Sequence, residues 1–434
     1  MAEAKDDPAY SGTSNNVKIL IYGINYAPEL TGIGKYTGEM ATFFAAAGDE
    51  VEVITAPPYY PQWKVKEGYA NRFHTEQVEG VTVHRCPLYV PAEVTGMRRI
   101  LHEFSFVLSS LRYWIPRYFR RYDQILCISP PFHLGFPALL HKWFRGTPVV
   151  YHIQDLQVDA ARDLGIIRQQ WLLRILEGAE TWLLKRMTAI STISEGMLRK
   201  IVKKGIPADD IILFPNWVDA NLVHPVERRD SMRSAWQIAD GDRLVLYAGN
   251  LGEKQGLENI LEVADRMREA ANVKFLIIGE GGAKARLQAE ARQRALTNLT
   301  FKPLQPLSQL AASLAAADVH LVLQKKAAAD LVMPSKLTNI LAVGGHALIT
   351  AEQETTLYDE VINNRLGTIV APEDTDALEA GLRSILDGRN GDDATGALAY
   401  AAEKLDKQHI LFRFRQILTQ NTKQQHNSWN SHPS

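Results

Sequence analysis

The sequence has little of what marks several common protein classes. It contains two cysteines, Cys86 and Cys127, which lie far apart along 434 residues. This excludes a disulfide framework or a cysteine-based metal site and favours a reducing compartment. The formal net charge is only −1. No overall positive field is therefore available for nucleic acid, and we expect no nucleic-acid partner.

Long apolar runs and several catalytic motifs are also missing. No run of about eighteen apolar residues is present, so we expect no membrane-spanning helix. Residues 1–16 are polar and lack the apolar core of a secretory signal, so we expect a disordered extension there and a second one at 421–434. HExxH, GxSxG and the Walker lysine loop are absent, which gives no support to a hydrolase or kinase built on those parts. We expect no metal and no other cofactor.

What is present indicates two domains of the α/β class. The chain is 46% hydrophobic and 22% charged, which is typical of a globular protein with room for two cores. Short β-branched segments alternate with helical periods, the pattern of parallel sheets covered on both faces. Strands are predicted at 17–26, 49–57, 124–129, 147–154, 243–250, 273–279, 299–304 and 319–324, and helices at 31–48, 257–271 and 283–295. The proline-bracketed segment 214–225 predicts a boundary between domains 17–215 and 216–400.

Glycine-rich loops follow several of these strands. In NYAPELTGIGKYTGEM, Gly32 and Gly34 open a helix and would let the backbone approach a phosphate, although they could serve only a tight turn. The spacing is not GxGxxG, so a nicotinamide site is not indicated. In YAGNLGEKQGLENIL, Lys254 is placed to neutralise a diphosphate or, alternatively, is a solvated surface lysine. LIIGEGGAKARL carries a similar turn, which is a weak signal by itself.

The stretch LVMPSKLTNILAVGG carries a lysine and an amide on one helical face. Lys336 and Asn339 are three residues apart and therefore adjacent on a helix. A helix start also presents free backbone N–H groups that suit an anion. The pattern predicts an anion site.

Polar residues also follow the apolar strand in YHIQDLQVDAARDLG. His152, Asp155 and Asp159 lie where reacting groups belong in a doubly wound sheet. For His152 the alternative is a packed, hydrogen-bonded core histidine. Asp155 is harder to explain by packing, because carboxylates are seldom buried without a partner.

Residues 96–122 combine six arginines with interspersed aromatic and aliphatic side chains against a single glutamate, Glu103. An amphipathic helix of this composition can lie on an anionic membrane surface. The alternative is an ordinary amphipathic helix whose apolar face packs into the core.

Together, YGINYAPELTGIGKYTGEM, FPNW, YAGNLGEKQGLE, GEGGAKARL and PSKLTNILAVGG resemble the retaining GT-B glycosyltransferases of family 4. The resemblance runs from about Val17 to Leu418. It implies two Rossmann-like doubly wound domains facing a central cleft, with a C-terminal helix at 401–420 that returns to the first domain. It also implies a donor site formed by Gly32, Gly34, Gly249, Asn250, Lys254, Glu280, Gly281, Leu304, Gln305, Ser335, Lys336 and Asn339.

The chain departs from the family pattern at several of these positions. Asn250 stands where the family usually has an arginine, and Gln255, not lysine, directly precedes the loop glycine. The two glutamates that the family places eight residues apart are Leu331 and Asn339 here. The histidine that often precedes the aspartate of the first domain is replaced as well, by a glutamine. Asp155, Asp159 and His152 are therefore the candidate bases, and Lys336 a further catalytic candidate.

The resemblance implies retaining transfer of a hexose from a GDP- or UDP-linked sugar to a lipid-linked oligosaccharide. Fucose from GDP-fucose is the expected donor, and colanic-acid-like exopolysaccharide the expected product. The enzyme is expected to be cytoplasmic and peripheral on the inner face of the plasma membrane, with contact through 96–122. Two alternatives stay open: a sugar-nucleotide 2-epimerase of the same fold, and a non-catalytic subunit that binds nucleotide sugar.

Overall fold

A computed structural model describes residues 16–29, 32–93, 95–163, 167, 169–326, 334–353, 355–389 and 391–430. The chain forms two compact units, each made of discontinuous segments. Unit 1 comprises residues 1–193, 197–214 and 408–434, and unit 2 comprises residues 194–196 and 215–407. The division at Phe214 and Pro215 falls one residue from the predicted boundary. Within the described residues, no helix combines the length and the apolar content needed to cross a bilayer.

Unit 1 is built on an eight-stranded sheet in the order β3-β4-β2-β1-β5-β6-β7-β8, parallel except for β3. Its strands are β1 (Lys18–Tyr22), β2 (Glu50–Thr55), β3 (His74–Val78), β4 (Val81–Arg85), β5 (Gln124–Ser129), β6 (Val149–Ile153), β7 (Ala189–Thr192) and β8 (Ile211–Leu213). The central strands are buried on both faces because helices cover both. These helices are α1 (Gly32–Ala46), α2 (Gly96–Arg117), α3 (Gly135–Arg145), α4 (Gln157–Asp163), α5 (Gln170–Leu184), α6 (Glu195–Lys203) and, at the end of the chain, α14 (Lys407–Asn430).

Unit 2 is built on a six-stranded parallel sheet in the order β11-β10-β9-β12-β13-β14. The strands are β9 (Arg243–Ala248), β10 (Val273–Ile278), β11 (Leu299–Lys302), β12 (Val319–Val322), β13 (Ala347–Thr350) and β14 (Gly367–Val370). The helices are α7 (Glu258–Arg266), α8 (Lys284–Gln293), α9 (Leu310–Ala315), α10 (Ser335–Ala342), α11 (Thr356–Asn364), α12 (Thr375–Leu386) and α13 (Ala397–Lys404). Short 3-10 turns occur in both units, at Phe132–Leu134 and Ala208–Asp210 in unit 1 and at Arg228–Asp230, Glu253–Gln255, Leu307–Gln309 and Gly391–Ala394 in unit 2.

Strand alternation divides the unit 2 core into two halves. On β9, Leu244 and Leu246 enter one hydrophobic cluster, whereas Val245 and Tyr247 enter the cluster on the opposite face. Because every strand is parallel, all six carboxyl ends lie along one edge of the sheet. The loops that carry most of the predicted donor residues begin at this edge.

The end of the chain differs from the sequence prediction. The single helix predicted at 401–420 is two helices, α13 and α14, and α13 belongs to unit 2. The break arises because Asp406 forms a β-bridge with Val218, and Val218 N donates to Leu405 O at 2.8 Å. Disorder is predicted from residue 421, but helix α14 continues to Asn430. Once the first half of a helix is formed and packed, adding further turns costs little free energy.

Candidate active site

The loops after β9 and β10 lock together at the carboxyl edge of unit 2. Leu251 N donates to Glu280 O at 2.8 Å, and Ala283 N donates to Leu251 O at 2.9 Å. These two bonds hold the predicted loop residues Gly249, Asn250 and Glu280 in one layer.

Three glycines make this close approach possible. A Cβ at Gly279 would lie 1.9 Å from Gly249 O, and one at Gly281 would lie 2.4 Å from Leu251 O. Gly249 and Gly281 also have φ of +154°, which side chains rarely adopt. The glycines are therefore required by the packing of the two loops, and they leave bare backbone at the strand ends.

Lys336 lies in the first turn of α10 and points back to the sheet. Its Nζ donates to the Tyr247 hydroxyl at 3.1 Å and lies 4.2 Å from the centre of the Tyr247 ring. Burial lowers the pKa of Lys336 to about 7, since a charged amine loses hydration there. Among the described residues, no carboxylate lies within ion-pair distance of this amine. The site thus holds a partly buried amine that is protonated below about pH 7 and has no described counterion.

Tyr247, which the sequence analysis missed, organises this corner. It is 1% exposed, and its hydroxyl donates to Asn250 O at 2.8 Å while accepting from Lys336. The tyrosine therefore connects α10 to the loop after β9. Its position at the end of an apolar strand gave the only sequence signal.

Two further lysines near these loops, Lys254 and Lys325, are placed differently. Lys254 lies in the 3-10 turn Glu253–Gln255 with an exposed side chain, and its carbonyl accepts from Lys325 N at 2.8 Å. Lys325, also missed in the sequence, packs 3.5 Å from the position of a Cβ on Gly256 and pairs with Glu258 at 3.2 Å. Lys254 is therefore available to solvent, as both of its interpretations require.

Other predicted donor residues lie in the same unit. Glu280 accepts from Lys284 Nζ at 2.6 Å, and Gln305 donates to Pro303 O at 2.7 Å. Leu304 is exposed after β11, and Asn339 is half-buried on α10. The backbone of Ser335 begins α10, but its side chain and Leu331 lie outside what the structure describes.

In unit 1, the three candidate bases have distinct surroundings. His152 on β6 is 3% exposed, hydrogen-bonds Ser191 Oγ at 2.9 Å, and has its pKa lowered to about 3 by burial. Its geometry favours the core interpretation. Asp159 is buried in ion pairs with Lys204 at 2.7 Å and Arg162 at 3.2 Å. Asp155 is half-buried and lies two residues after the end of β6, in the loop where doubly wound sheets present reactive groups.

Gly32 and Gly34 begin α1, which follows the loop after β1. Gly32 has φ of +62°, and a Cβ at Gly34 would lie 2.4 Å from Glu29 Oε2. The sequence analysis missed Glu29. Its carboxylate accepts from Tyr59 N at 3.2 Å and Tyr60 N at 3.1 Å, and burial raises its pKa to about 7.

No cluster of three or more histidine, cysteine or acidic side chains suited to a metal ion occurs in the part of the chain that the structure describes. Metal independence stays a prediction.

Two family models together match most of the chain. The model described as Glycosyl transferase 4-like domain matches residues 31–217. The model described as Glycosyl transferases group 1 matches residues 228–404. The first match contains β2 to β8 of unit 1, and the second contains all six strands of unit 2.

One individual relative gives the same assignment, and two solved structures share the fold. WcaI of Escherichia coli strain K12, whose name assigns it as a glycosyl transferase of colanic acid biosynthesis, is 44% identical over 413 residues, covering 92% of this chain and 98% of WcaI. Sucrose-phosphate synthase from Thermosynechococcus elongatus superposes with a TM-score of 0.73 at 16% identity, covering 93% of this chain and 98% of that one. HepE of Anabaena, in complex with UDP and glucose, superposes with a TM-score of 0.67 at 14% identity, covering 93% and 100%. The structures show the fold, and the family models with WcaI show the family: this chain belongs to the family 4, group 1 glycosyltransferases and has the GT-B fold.

Proposed function

We propose that this glycosyltransferase moves a hexose from a nucleotide sugar to a lipid-linked oligosaccharide, with retention of the anomeric configuration, in colanic-acid-type exopolysaccharide synthesis. The donor proposed is GDP-fucose. The relation to WcaI supports the pathway, because the identity extends over 98% of that protein. The UDP and glucose in HepE support a nucleotide sugar as donor class.

The observation that carries the proposal is the surroundings of Lys336. Glycosyl transfer builds negative charge on the departing diphosphate, and a cation preorganised away from water stabilises that charge strongly. Lys336 is held by Tyr247 and has no described carboxylate to neutralise it. Gly249 adjoins this lysine, since a Cβ on Gly249 would lie 3.8 Å from Lys336 Cδ.

Two further donor contacts are proposed. The N-terminus of α10 would direct backbone N–H groups and the positive end of the helix dipole at the diphosphate. Lys254 would close over it from the exposed turn. In this scheme lysines and amides supply the positive charge, so transfer is expected to continue in the presence of EDTA.

The acceptor is assigned to unit 1. Asp155 is the proposed group near the acceptor hydroxyl, because it lies two residues after the end of β6 and is half-buried. No nucleophile is assigned, so we propose front-face attack assisted by the leaving diphosphate. Helix α2, within 96–122, is proposed to touch the inner face of the plasma membrane and to bring the enzyme to its lipid-linked acceptor.

The test begins with thermal shifts of the purified protein in GDP, UDP and their sugars, since ligands that bind the folded state raise the melting temperature. Transfer from the stabilising donor to membrane acceptor lipid is then measured for the wild type and for Lys336→Met. We expect kcat to fall about 100- to 1000-fold, the range for loss of one transition-state charge contact.

Lys274→Met is the matched control. Lys274 is near the amino end of β10, where it donates to Ala271 O at 2.9 Å. Full turnover of Lys336→Met would refute the site. An epimerised donor, formed without acceptor, would indicate a 2-epimerase. Donor binding without diphosphate release in the presence of acceptor would indicate a binding subunit.

A further inference from the structure

Helices α3 and α5 of unit 1 each expose an apolar stripe. On α3, Phe136, Trp143 and Phe144 are 40%, 59% and 65% exposed. On α5, Trp171 and Ile175 are 64% and 57% exposed, and Trp182 follows on the same face. Phe136 is seven and eight residues before Trp143 and Phe144, and the α5 residues are four, seven and eleven apart, which places each set on one side of its helix. These side chains are therefore gathered at the surface and not scattered over it.

Ring contacts join the two stripes into one surface, called here the tryptophan ridge (Phe136, Trp143, Phe144, Trp171, Ile175 and Trp182). The Trp182 ring lies 6.1 Å from that of Trp143 and 6.3 Å from that of Phe136. Monomeric proteins seldom leave a large contiguous apolar patch uncovered, and such patches mark binding surfaces.

The ridge continues onto α2. Tyr118, directly after α2, lies 6.0 Å from the Phe144 ring, and Phe104 stacks on His133 at 4.4 Å just before α3. Helix α2 adds a stripe of its own: Met97, Leu101, Phe104, Leu108 and Ile115 are all exposed and fall within a narrow arc of the helix.

The charges around this surface are mostly positive. Residues 96–121, 135–145 and 170–186 contain eleven arginines and lysines and three glutamates. Glu103 and Glu180 are buried in ion pairs with Arg99 and Lys204, and Glu177 pairs with Arg162. Arg186 lies 4.0 Å above the Trp182 ring. Arg98 pairs with Glu93, and Arg117 and Arg120 pair with Glu52. The other cations, with Arg186 against the Trp182 ring, still outnumber the three glutamates, and each of those glutamates is neutralised by a partner.

Tryptophan beside arginine and lysine is the composition that settles at the headgroup level of an anionic bilayer. A symmetric contact with a second copy of this chain would instead place the same positive surface against itself. The charge pattern therefore favours lipid over self-association.

We propose that the tryptophan ridge on α3 and α5 is an interfacial membrane anchor selective for anionic phospholipid, forming one binding face with α2. This anchor rests on the proposed function, because that function uses a lipid-linked acceptor. It extends the membrane contact well beyond 96–122. The rings would enter the headgroup layer, and the cations would pair with lipid phosphates.

The test is flotation of the full-length protein with phosphatidylcholine vesicles, with and without phosphatidylglycerol. We expect the wild type to float only with the anionic vesicles. The double variant Trp143→Gln/Trp171→Gln should bind about tenfold or more weakly, since each ring removes on the order of 150–250 Å² from water. Arg174→Gln/Lys185→Gln should lower binding about fivefold per charge removed.

The matched control is Ile362→Gln/Leu398→Gln, which removes two exposed apolar side chains of unit 2 and should float like the wild type. Equal flotation of the tryptophan variant, or no flotation of the wild type, would overturn the proposal. So would a dimer in sedimentation that depends on the tryptophans without vesicle binding. Nucleotide-induced thermal shifts separate the two proposals. A tryptophan variant that keeps the nucleotide shift but no longer floats has lost the anchor and kept the donor site. A wild type that floats but transfers no sugar supports the anchor and contradicts the proposed function.

Discussion

At the residue scale, Lys336 couples the candidate site to pH. Its pKa of about 7 leaves the amine protonated below pH 7 and increasingly neutral above it. A diphosphate binds the protonated form, because that form supplies the charge.

We therefore expect nucleotide affinity to fall as pH rises above 7, by at most about tenfold per pH unit, the limit for one proton. Titration calorimetry in two buffers of different ionisation enthalpy should also detect proton uptake on binding. Lys336→Arg keeps its charge over this range and should flatten the profile. An equally steep profile in that variant would assign the titration to another group.

Glu29 makes a second pH-dependent contribution, this time to stability. Burial raises its pKa to about 7 from 4.5, so the folded state binds a proton that the unfolded state releases at lower pH. This carboxyl therefore favours folding fully below about pH 4.5, and the contribution is lost as pH rises through about 7.

Glu29→Gln should reduce that pH dependence, because glutamine stays neutral and can accept the same two N–H bonds. The unfolding free energy of unit 1 should gain up to about 3 kcal/mol at pH 8.5 relative to the wild type. The change should be small at pH 5. Urea unfolding at the two pH values measures this, and an equal change at both would contradict it.

At the scale of elements, the interlocked loops after β9 and β10 predict an asymmetry between neighbouring glycines. A Cβ at Gly279 would collide with Gly249 O at 1.9 Å, whereas one at Gly282 would meet nothing within 4 Å. Gly279→Ala should cost about 2–3 kcal/mol of unfolding free energy and weaken nucleotide binding. Gly282→Ala, the matched control, should change little. Equal melting temperatures for the two variants would show that the loops are not locked.

Many strands and loops of unit 2 could be predicted from the sequence, because the signal for each one lies within a single short segment. An apolar strand ended by glycine is visible in YAGN and LIIGEGG, and Lys336 and Asn339 share a face by spacing alone. The contacts of Lys336 with Tyr247, and of Glu29 with the loop after β2, could not be predicted. Those pairs depend on which strands are neighbours in the sheet, and they are separated by 89 and 30 or more residues.

His152 is a second residue whose surroundings depend on neighbouring strands. Its position at a strand end left both a reactive role and a packed core role open, and the burial follows from Ser191 on β7 and from Phe214, whose ring lies 5.2 Å away. A pattern within one strand does not reveal what its neighbour places against it.

At the scale of the whole molecule, α14 completes unit 1 from the far end of the chain. Phe414 stacks on Phe214 with ring centres 3.7 Å apart, and Arg415 binds buried Asp49 at 2.7 and 2.8 Å. Phe414→Ala should lower the unfolding free energy of unit 1 by about 3 kcal/mol, the cost of an emptied aromatic site. Arg413→Ala, an exposed position on the same helix, should have little effect. Urea unfolding followed by a unit 1 probe distinguishes them, since two units need not unfold together.

This chain order also determines when each part of unit 1 is synthesised. A ribosome finishes every strand of unit 1 by Leu213, yet the residues that cover Phe214 and pair with Asp49 emerge about two hundred codons later. During that interval the nascent unit 1 lacks the α14 residues that cover Phe214 and pair with Asp49. Unit 2 can meanwhile fold as a self-contained insert. Loss of the last few dozen residues, by a premature stop or a protease, would therefore damage the half of the enzyme that was made first.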